Sequence, residues 1–407
     1  MKTALCIDYF FPPLAGGWVG GFKFIRLLPE FGWRPIVVSA SETVRYDKDY
    51  SLLDHLPKGI EVHRTGHREP FPAVRFLMGK VGLGYEFPDY YGPWFKPALR
   101  MARDILRREK IDLLVSISPT YTTTRVALRL KHEFNIPWIA ELEDAWSENH
   151  YLLRDLGHRV AAPLRKHLLG RIRAAERDMV QHADKIISIH REHVSQLTRD
   201  YGGEPGQFEV IMDGYYESDY RGLQPHTLYP GRPNIVFLGS SYGGFQKTAE
   251  AFITALNEVD RTAEAVFIGR AARVLMTGKL PNTTLIGPLP KEKALSFGAG
   301  GDFLLVITLP EARWHTPSKV YDYLRLGKPI LAIVPTDGDA ARTIREARGG
   351  FILSYDRETM KTQLEQILSR WRAGEFRGWA PDGEYIRQFE RRTLTERIVR
   401  VFDAVAK

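Results

Sequence analysis

Residues 315–332 read HTPSKVYDYLRLGKPILA. A polar loop containing a proline runs into a short helical pattern, which ends at Gly-Lys-Pro before an apolar strand. Because a helix N-terminus presents free backbone N–H groups, and Ser318 and Lys319 stand beside this one, the segment predicts a phosphate site. Asp322 follows one turn later, where its carboxylate can hold ribose hydroxyls. The stretch therefore indicates a nucleotide-sugar site.

The composition is that of a globular protein with two or more domains. Of its 407 residues, 44% are hydrophobic and 26% are charged. Cys6 is the only cysteine, so a disulfide within the chain is impossible and a reducing compartment is favoured. No signal-peptide pattern follows Met1, and no apolar run approaches the ~18 residues of a membrane-spanning helix. We therefore expect a cytoplasmic protein.

The net charge of +8 is unevenly spread, with seven basic and two acidic residues in 151–177. Within 159–179, apolar residues recur at helical spacing between the basic ones. This amphipathic run is a candidate for peripheral contact with an anionic membrane, at its inner face. The alternative is an ordinary helix packed on its own domain. No nucleic-acid-binding motif is present, so we expect no nucleic-acid partner.

Strand-like and helix-like segments alternate along the whole chain, which predicts an α/β fold with parallel sheets. The clearest strands are 3–9, 35–39, 113–117, 138–141, 185–190, 234–238, 265–268, 284–286, 303–306, 329–333 and 350–353. Residues 203–233 are rich in Gly, Pro and polar residues and are interpreted as the interdomain linker. We place one domain at 1–215 and a second at 216–384. The helical pattern 385–407 lies beyond the last strand and is expected to pack back on the first domain.

Residues 42–98 are the least regular part of the chain, with aromatic residues crowded between Gly and Pro. They are interpreted either as a loop-rich insertion over the active site or as a cover on the sheet edge.

Two further segments combine a strand, a glycine-rich loop and a helix. In residues 11–21 the glycines, including Gly16 and Gly17, let a ligand phosphate or sugar approach the backbone closely; the alternative is a tight turn. Pro29 lies inside the helical pattern that follows this loop and should kink or shorten that helix. In residues 237–247 the hydroxyls of Ser240 and Ser241 and the ammonium of Lys247 suit a diphosphate, unless Lys247 is an ordinary surface residue.

A fourth segment, residues 138–149, ends a strand with several carboxylates around a tryptophan. In open α/β sheets, ligands bind beyond the carboxyl ends of the strands. Glu143 and Asp144 are therefore candidates to bind acceptor hydroxyls or to act as a base; the alternative is solvated loop charge. The two Asp-x-Asp strings, at 47–49 and 337–339, lie in polar loops where such strings arise by chance, and we assign no metal site.

Together these segments resemble the family-4 retaining glycosyltransferases of the GT-B fold, over nearly the whole chain. The resemblance lies in the order and spacing of the motifs. They are Phe11-Pro12-Pro13 with Gly16-Gly17, Phe31-Gly32-Trp33, Ile136-Pro137-Trp138, Asp144-Ala145-Trp146-Ser147-Glu148-Asn149, Ala183-Asp184-Lys185-Ile186, Asp213-Gly214-Tyr215 and Pro317-Ser318-Lys319-Val320-Tyr321-Asp322 with Gly327-Lys328-Pro329.

The resemblance implies two Rossmann-like domains facing a cleft, a C-terminal helix that crosses back to the first domain, and no required cofactor or metal. It also implies that Gly16 and Gly17 touch the donor, that Lys247 and the Ser318–Lys319 loop bind its diphosphate, and that Asp322 binds ribose. The chain departs from the family eight positions before Asp322. There the family has a Glu that contacts the donor sugar, whereas this sequence has Trp314, with His315 as a candidate replacement.

The function expected from these motifs is transfer of a sugar from a nucleotide-diphosphate sugar, with retention of configuration. The acceptor would be a glycan, a lipid-linked oligosaccharide or a cell-surface polysaccharide precursor. Lys247 and Lys319 would stabilise the leaving diphosphate, and Glu143 and Asp144 would serve the acceptor. The alternatives are an inverting transferase, a nucleotide-sugar epimerase, or a nucleotide-sugar-binding protein without turnover.

Overall fold

The computed structural model describes residues 1–11, 20–41, 56–57, 60–66, 91–149, 162–240, 244–275 and 280–406. The chain divides into two compact units. Unit 1 comprises Met1–Met212 together with Leu394–Lys407, and unit 2 comprises Asp213–Thr393.

Unit 1 is built on a parallel sheet whose seven described strands run in the order β3-β2-β1-β4-β5-β6-β7. The strands are β1 Lys2–Ile7, β2 Trp33–Ala40, β3 Glu61–Thr65, β4 Leu113–Ile117, β5 Trp138–Leu142, β6 Lys185–Ser188 and β7 Phe208–Val210. The central strands are apolar and buried along their length, as expected for a parallel sheet covered on both faces. The strand order reverses between β1 and β4, so the loops after these two strands flank the point where doubly wound folds bind ligands.

The described helices of unit 1 follow its strands in the usual α/β alternation. They are α1 Phe22–Ile25, α2 Phe95–Arg108, α3 Tyr121–Phe134, α4 Ala162–His182 and α5 Arg191–Tyr201. As Pro29 predicts, α1 is only four residues long, and a 3₁₀ turn, Leu28–Phe31, follows it with the proline near its start.

Unit 2 has a parallel sheet of six described strands in the order β10-β9-β8-β11-β12-β13. The strands are β8 Asn234–Leu238, β9 Glu264–Ile268, β10 Thr283–Ile286, β11 Phe303–Ile307, β12 Ile330–Ile333 and β13 Gly350–Leu353. The helices are α6 Phe245–Val259, α7 Arg270–Leu275, α8 Lys291–Gly300, α9 Lys319–Leu326, α10 Asp339–Glu346, α11 Arg357–Arg372 and α12 Gly383–Arg387. The order of these strands is that of a Rossmann fold, with its reversal between β8 and β11. The α/β fold with parallel sheets is confirmed.

The last helix, α13 Arg391–Val405, contributes its residues from Leu394 onward to unit 1. Phe402 is fully buried there, with its ring edge-on to those of Trp33 and Phe24. Leu394, Ile398 and Val399 belong to the same apolar cluster as β1. The prediction of a C-terminal helix that crosses back to the first domain is confirmed.

Two strands were missed from the sequence. β3 lies within the irregular segment 42–98 and pairs with β2 in parallel. The pairing begins with Ile36 opposite Glu61 and ends with Ala40 opposite Thr65. β7 lies within 203–233, so the interpretation of that whole range as a linker is wrong at its start, where Phe208–Val210 pairs with β6. Both are edge strands of the described sheet and are only partly buried. Four of the five residues of β3 are polar and β7 is only three residues long, so neither has the apolar run that marks a buried strand.

Candidate functional site

In unit 2, the loops after β8 and β9 approach each other closely through two glycines. Gly239 has φ +108° and Gly269 has φ +113°, a backbone conformation that favours glycine. A Cβ atom on Gly269 would lie 2.6 Å from the carbonyl oxygen of Gly239. The chain therefore leaves bare backbone at the carboxyl end of β8, next to the point where the strand order reverses.

Lys319, the first residue of α9, lies over this bare backbone. Its Nζ is 3.5 Å from where a Cβ on Gly239 would lie and 3.8 Å from the ring centroid of Phe237 in β8. Burial lowers the pKa of Lys319 to about 7, because a desolvated ammonium is costly. No acidic side chain among the described residues pairs with it, so within that part of the chain the cation that forms here has no counterion.

Two other residues that the sequence predicts to contact the nucleotide-sugar donor lie beside Lys319. His315 is buried, and burial together with the charge of Lys319 lowers its pKa to about 3, so its imidazole is neutral at pH 7. Ser318 precedes α9 with an αR backbone and makes no capping hydrogen bond through its side chain. Its hydroxyl is therefore not used as an N-cap.

Trp314 occupies the position where the resemblance leads one to expect a Glu. It is 4% exposed, and its ring centroid lies 5.4 Å from that of His315. This position therefore supplies an apolar wall behind His315 instead of a carboxylate.

Asp322 lies one helical turn after Lys319 and is held by neighbouring side chains. It accepts a hydrogen bond from the hydroxyl of Tyr220, and the Nζ of Lys291 is 3.5 Å from the same Oδ1 atom. Its side chain is 18% exposed. A role in ribose binding stays a prediction that is compatible with this placement.

The glycine and serine loop is only partly described. Ser240 is half-buried after β8, and Lys247 lies in the first turn of α6 with an exposed side chain. Ser241 of this loop, like Gly16 and Gly17 of the first loop, lies outside the described residues. Diphosphate binding by Ser240, Ser241 and Lys247 and donor contact by Gly16 and Gly17 stay predictions.

In unit 1, a buried lysine joins two carboxylates at the carboxyl end of β5. The Nζ of Lys23, in α1, is 2.6 Å from Oε1 of Glu141 and 2.6 Å from Oε1 of Glu143. All three residues are buried. The second oxygen of Glu141, Oε2, is buried and accepts no hydrogen bond from a described residue. Breaking such a buried network by removing one partner is strongly destabilising.

Asp8, just after β1, accepts hydrogen bonds from the backbone at both ends of the glycine-rich loop. Its Oδ1 accepts from the N–H of Phe10 at 3.0 Å, and its Oδ2 accepts from the N–H of Gly21 at 3.1 Å. A Cβ on Gly21 would lie 2.8 Å from Oδ2 and 2.5 Å from Ile117 Cδ1, so a larger residue there would have to displace these side chains. The Nη1 of Arg64 in β3 also donates to the carbonyl of Phe11 at 2.7 Å.

Three carboxyl groups at this edge bind protons more tightly than free carboxyl groups do, mainly because they are buried. Burial, and to a smaller extent Glu143, raise the pKa of Asp8 to about 7 and that of Asp144 to about 7. Burial likewise raises the pKa of Glu141, against the attraction of Lys23. Asp144 is the half-buried member of the group, and its backbone carbonyl accepts from the hydroxyl of Tyr121 at 2.8 Å. A carboxyl group that titrates near pH 7 suits a general base or an acceptor of substrate hydroxyl protons.

The structure therefore shows Glu143 and Asp144 within a group of charged residues that the sequence did not reveal. Lys23 and Asp8 were not identified as site residues. The signal for Lys23 was a single charge inside the apolar string Phe22–Ile25, and the signal for Asp8 was a carboxylate directly after an apolar strand.

The amphipathic helix α4 uses its apolar face within its own unit. Leu168, Ile172 and Met179 are 8%, 5% and 1% exposed, and Ile172 packs with Tyr121 and Trp146. The alternative interpretation, a helix packed on its own domain, is therefore the correct one for this face. Contact with an anionic membrane through the exposed basic residues Lys166, Arg171, Arg173 and Arg177 stays a prediction.

In the part of the chain that the structure describes, no three His, Cys, Asp or Glu side chains form a group that could hold a metal ion. None of the helices in that part combines the length and apolar composition needed to cross a bilayer. Of the two Asp-x-Asp strings, 47–49 lies outside the described residues, and Asp337 of the second pairs with Arg313 at 3.1 Å.

Comparison with known proteins supports the resemblance drawn from the motifs. Residues 23–214 match the family model described as "Glycosyl transferase 4-like domain". The resemblance to family-4 glycosyltransferases is thereby confirmed. No match to the chain was found among curated proteins.

Solved structures resemble the chain over its whole length. Anabaena Alr3699/HepE in complex with UDP-glucose is 14% identical, with a TM-score of 0.67 and coverage of 99% of this chain and 100% of that one. WaaG, a glycosyltransferase involved in lipopolysaccharide biosynthesis, is 15% identical, with a TM-score of 0.61 and coverage of 99% of both chains. A putative UDP-N-acetylglucosamine 2-epimerase from Listeria monocytogenes is 12% identical, with a TM-score of 0.56 and coverage of 99% and 96%. At these identities the likeness shows the fold, which is that of GT-B proteins.

The buried network around Lys23 should make unit 1 sensitive to loss of this one charge. We expect Lys23→Met to lower the free energy of unfolding by about 3–5 kcal/mol at pH 8, because Glu141 and Glu143 lose their counterion. Near pH 5 Asp8 and Glu141, whose pKa values are raised in the folded state, take up protons, so the loss should shrink. Denaturant unfolding at both pH values measures the two losses.

The matched control for this experiment is Lys131→Met, which removes a partly exposed pair with Asp184 and should cost under about 1 kcal/mol. Equal losses for the two variants, or a Lys23→Met loss that does not depend on pH, would contradict the assignment.

If Lys319 is the predicted diphosphate contact, its depressed pKa makes the affinity for a nucleoside diphosphate depend on pH, with UDP as the probe. Above pH 7 the free protein must take up a proton to present an ammonium, so the Kd for UDP should rise about tenfold per pH unit between pH 7 and 9. Phosphate titration does not interfere, because its second pKa is about 6. Calorimetric titration in buffers of different ionisation enthalpy should show the proton uptake.

The control is Lys319→Arg, which keeps its charge throughout this range and should bind with a Kd that does not change with pH. A wild-type Kd that is flat from pH 7 to 9 would show that Lys319 is not the diphosphate contact.

Proposed function

We propose that this chain, which has a glycosyltransferase-like GT-B fold, transfers a sugar from a nucleotide-diphosphate sugar to a hydroxyl acceptor with retention of configuration. The observation that carries the proposal is Lys319, a lysine with no acidic partner among the described residues, placed over the bare backbone of Gly239 where the strand order of unit 2 reverses. A bound diphosphate would supply the missing counterion. UDP is the first nucleotide to test, because a solved structure of the same fold holds UDP-glucose.

In the proposed mechanism, unit 2 binds the donor and stabilises the leaving group. As the bond between the sugar and the phosphate breaks, negative charge grows on the diphosphate. Lys319, the N-terminus of α9 and Lys247 would offset that charge, and such preorganised electrostatic contacts are a large source of rate enhancement. Neutral His315 would offer hydrogen bonds to the donor, and Asp322 would bind ribose hydroxyls.

Unit 1 would bind the acceptor through its carboxylates. Asp144 is the half-buried member of the group and titrates near pH 7, so it can accept a proton or a hydrogen bond from an acceptor hydroxyl at neutral pH. Glu143 is held by Lys23 at 2.6 Å and would orient the acceptor alongside it. Acceptors of this kind carry hydroxyl groups, as glycans and lipid-linked oligosaccharides do.

Two substitutions separate the donor role from the acceptor role. Lys319→Ala should raise the Kd for UDP about 10–100-fold, because a charge-assisted contact to phosphate is lost. Asp144→Asn should leave that Kd within about threefold and lower kcat/KM about 100-fold. UDP release from UDP-glucose and other UDP-sugars, measured with candidate acceptors, gives kcat/KM, and calorimetry gives the Kd.

Lys328→Ala and Glu148→Gln serve as controls of matched chemistry outside the proposed contacts. If Lys319→Ala leaves both the Kd and kcat/KM within threefold, the proposed donor site is wrong. The anomeric configuration of the product, determined by NMR, tests retention. An inverted product, or a donor epimerised without transfer, would support one of the rival GT-B activities instead.

A further inference from the structure

A short 3₁₀ helix in unit 2, Glu217–Tyr220, lies against the helix that carries Lys319. The Nε of Arg325 in α9 donates to Glu217 at 2.7 Å, and the hydroxyl of Tyr220 donates to Asp322 one turn earlier in α9. Asp219 pairs with Lys291, the first residue of α8, at 2.7 Å. The segment is therefore fixed to α9 at two points and to α8 at a third.

The contacts to Asp322 fall on one of its two carboxylate oxygens. Tyr220 donates to Oδ1, and the Nζ of Lys291 lies 3.5 Å from the same atom. Oδ2 accepts no hydrogen bond from any residue that the structure describes. A carboxylate oxygen has two lone pairs available to donors, so Oδ2 keeps its full capacity to accept from a ligand.

Tyr220 is itself held in place, and its hydroxyl stays protonated. The guanidinium carbon of Arg325 lies 5.0 Å from its ring centroid, and the ring of Tyr215 meets it edge-on at 5.9 Å. Burial and the charge of Asp322 raise the pKa of Tyr220 well above its usual range. The phenol is therefore protonated at neutral pH, where it donates to Asp322.

We propose that Tyr220, assisted by Lys291, is a positioning residue that fixes Asp322 through Oδ1 so that Oδ2 faces ribose hydroxyls, which makes the site selective for ribonucleoside over 2′-deoxyribonucleoside diphosphates. The inference rests on the proposed function, since it requires a nucleotide bound at Lys319. A carboxylate held in one orientation loses less conformational entropy on binding than a mobile one, and this preorganisation increases the affinity gained from each hydrogen bond.

The experiment measures the Kd of UDP and of 2′-deoxy-UDP by calorimetry for the wild type and three variants. The wild type should bind UDP at least about tenfold more tightly, as expected for a hydrogen bond to a charged group. Tyr220→Phe should reduce the ratio of the Kd for 2′-deoxy-UDP to the Kd for UDP to about three or less, mainly by weakening UDP binding. Lys291→Met should reduce it partly, and Lys291→Arg should restore it.

The matched control is Tyr229→Phe, which removes a hydroxyl bonded to Thr284 at 2.7 Å elsewhere in unit 2 and should leave the ratio unchanged. A general loss of structure would weaken the binding of both nucleotides equally and leave the ratio of their Kd values unchanged. A change in this ratio therefore reports the positioning role.

A Tyr220→Phe variant that keeps the wild-type preference for UDP over 2′-deoxy-UDP would overturn the inference while the proposed function stands, and so would either of two other results. One is a wild type that binds UDP and 2′-deoxy-UDP equally. The other is a Tyr220→Phe variant that binds UDP more tightly, because Tyr220 would then be occupying the place of the ribose. Absence of UDP binding by the wild type would instead contradict the proposed function, and this inference with it.

Discussion

Both sheets are parallel and apolar in their central strands, and this constraint determines where charge can lie. A charged group within such a strand would be desolvated without a partner, so charge collects beyond the strand ends, and in a parallel sheet all the carboxyl ends share one edge. Unit 1 places Asp8 and Glu143 there, and the one charged residue inside β5, Glu141, lies at its carboxyl end with the ammonium of Lys23 as its partner. Unit 2 places Lys319 there with no acidic partner among its described residues. The first edge suits hydroxyl groups that donate hydrogen bonds, and the second suits an anion.

Burial shifts the pKa values of the charged groups at these two edges in opposite directions. It raises the pKa of Asp8 and Asp144 toward 7 and lowers the pKa of Lys319 toward 7, because in each case the neutral form is cheaper to desolvate. Groups of both kinds are thus close to changing protonation state at neutral pH. A ligand that brings charge or hydrogen-bond donors can shift them without any large rearrangement, which is a property expected of binding and catalytic groups.

The sequence was sufficient where a local pattern determines the structure. The apolar runs located eleven strands, Pro29 predicted the short helix before it, and the segment from His315 to Pro329 predicted both a helix N-terminus and the lysine beside it. It failed where partners come from distant parts of the chain. Lys23 meets Glu141 and Glu143 across more than a hundred residues, and Tyr220 meets Asp322 across 102, and nothing local marks such pairs. The edge strands β3 and β7 were missed because their partly polar residues depend on pairing with a neighbour.

A thermal unfolding panel with UDP, GDP, ADP and dTDP, each compared with its nucleoside, tests most directly whether the edge of unit 2 binds a diphosphate. At least one ribonucleoside diphosphate should raise the unfolding temperature, with about 2.7 kcal/mol of stabilisation at 100 times its Kd. The nucleoside, which lacks the diphosphate that Lys319 would bind, should give little shift. If no nucleoside diphosphate stabilises the protein, or if nucleosides stabilise it equally, the edge of unit 2 is not a diphosphate site and the central claim is contradicted.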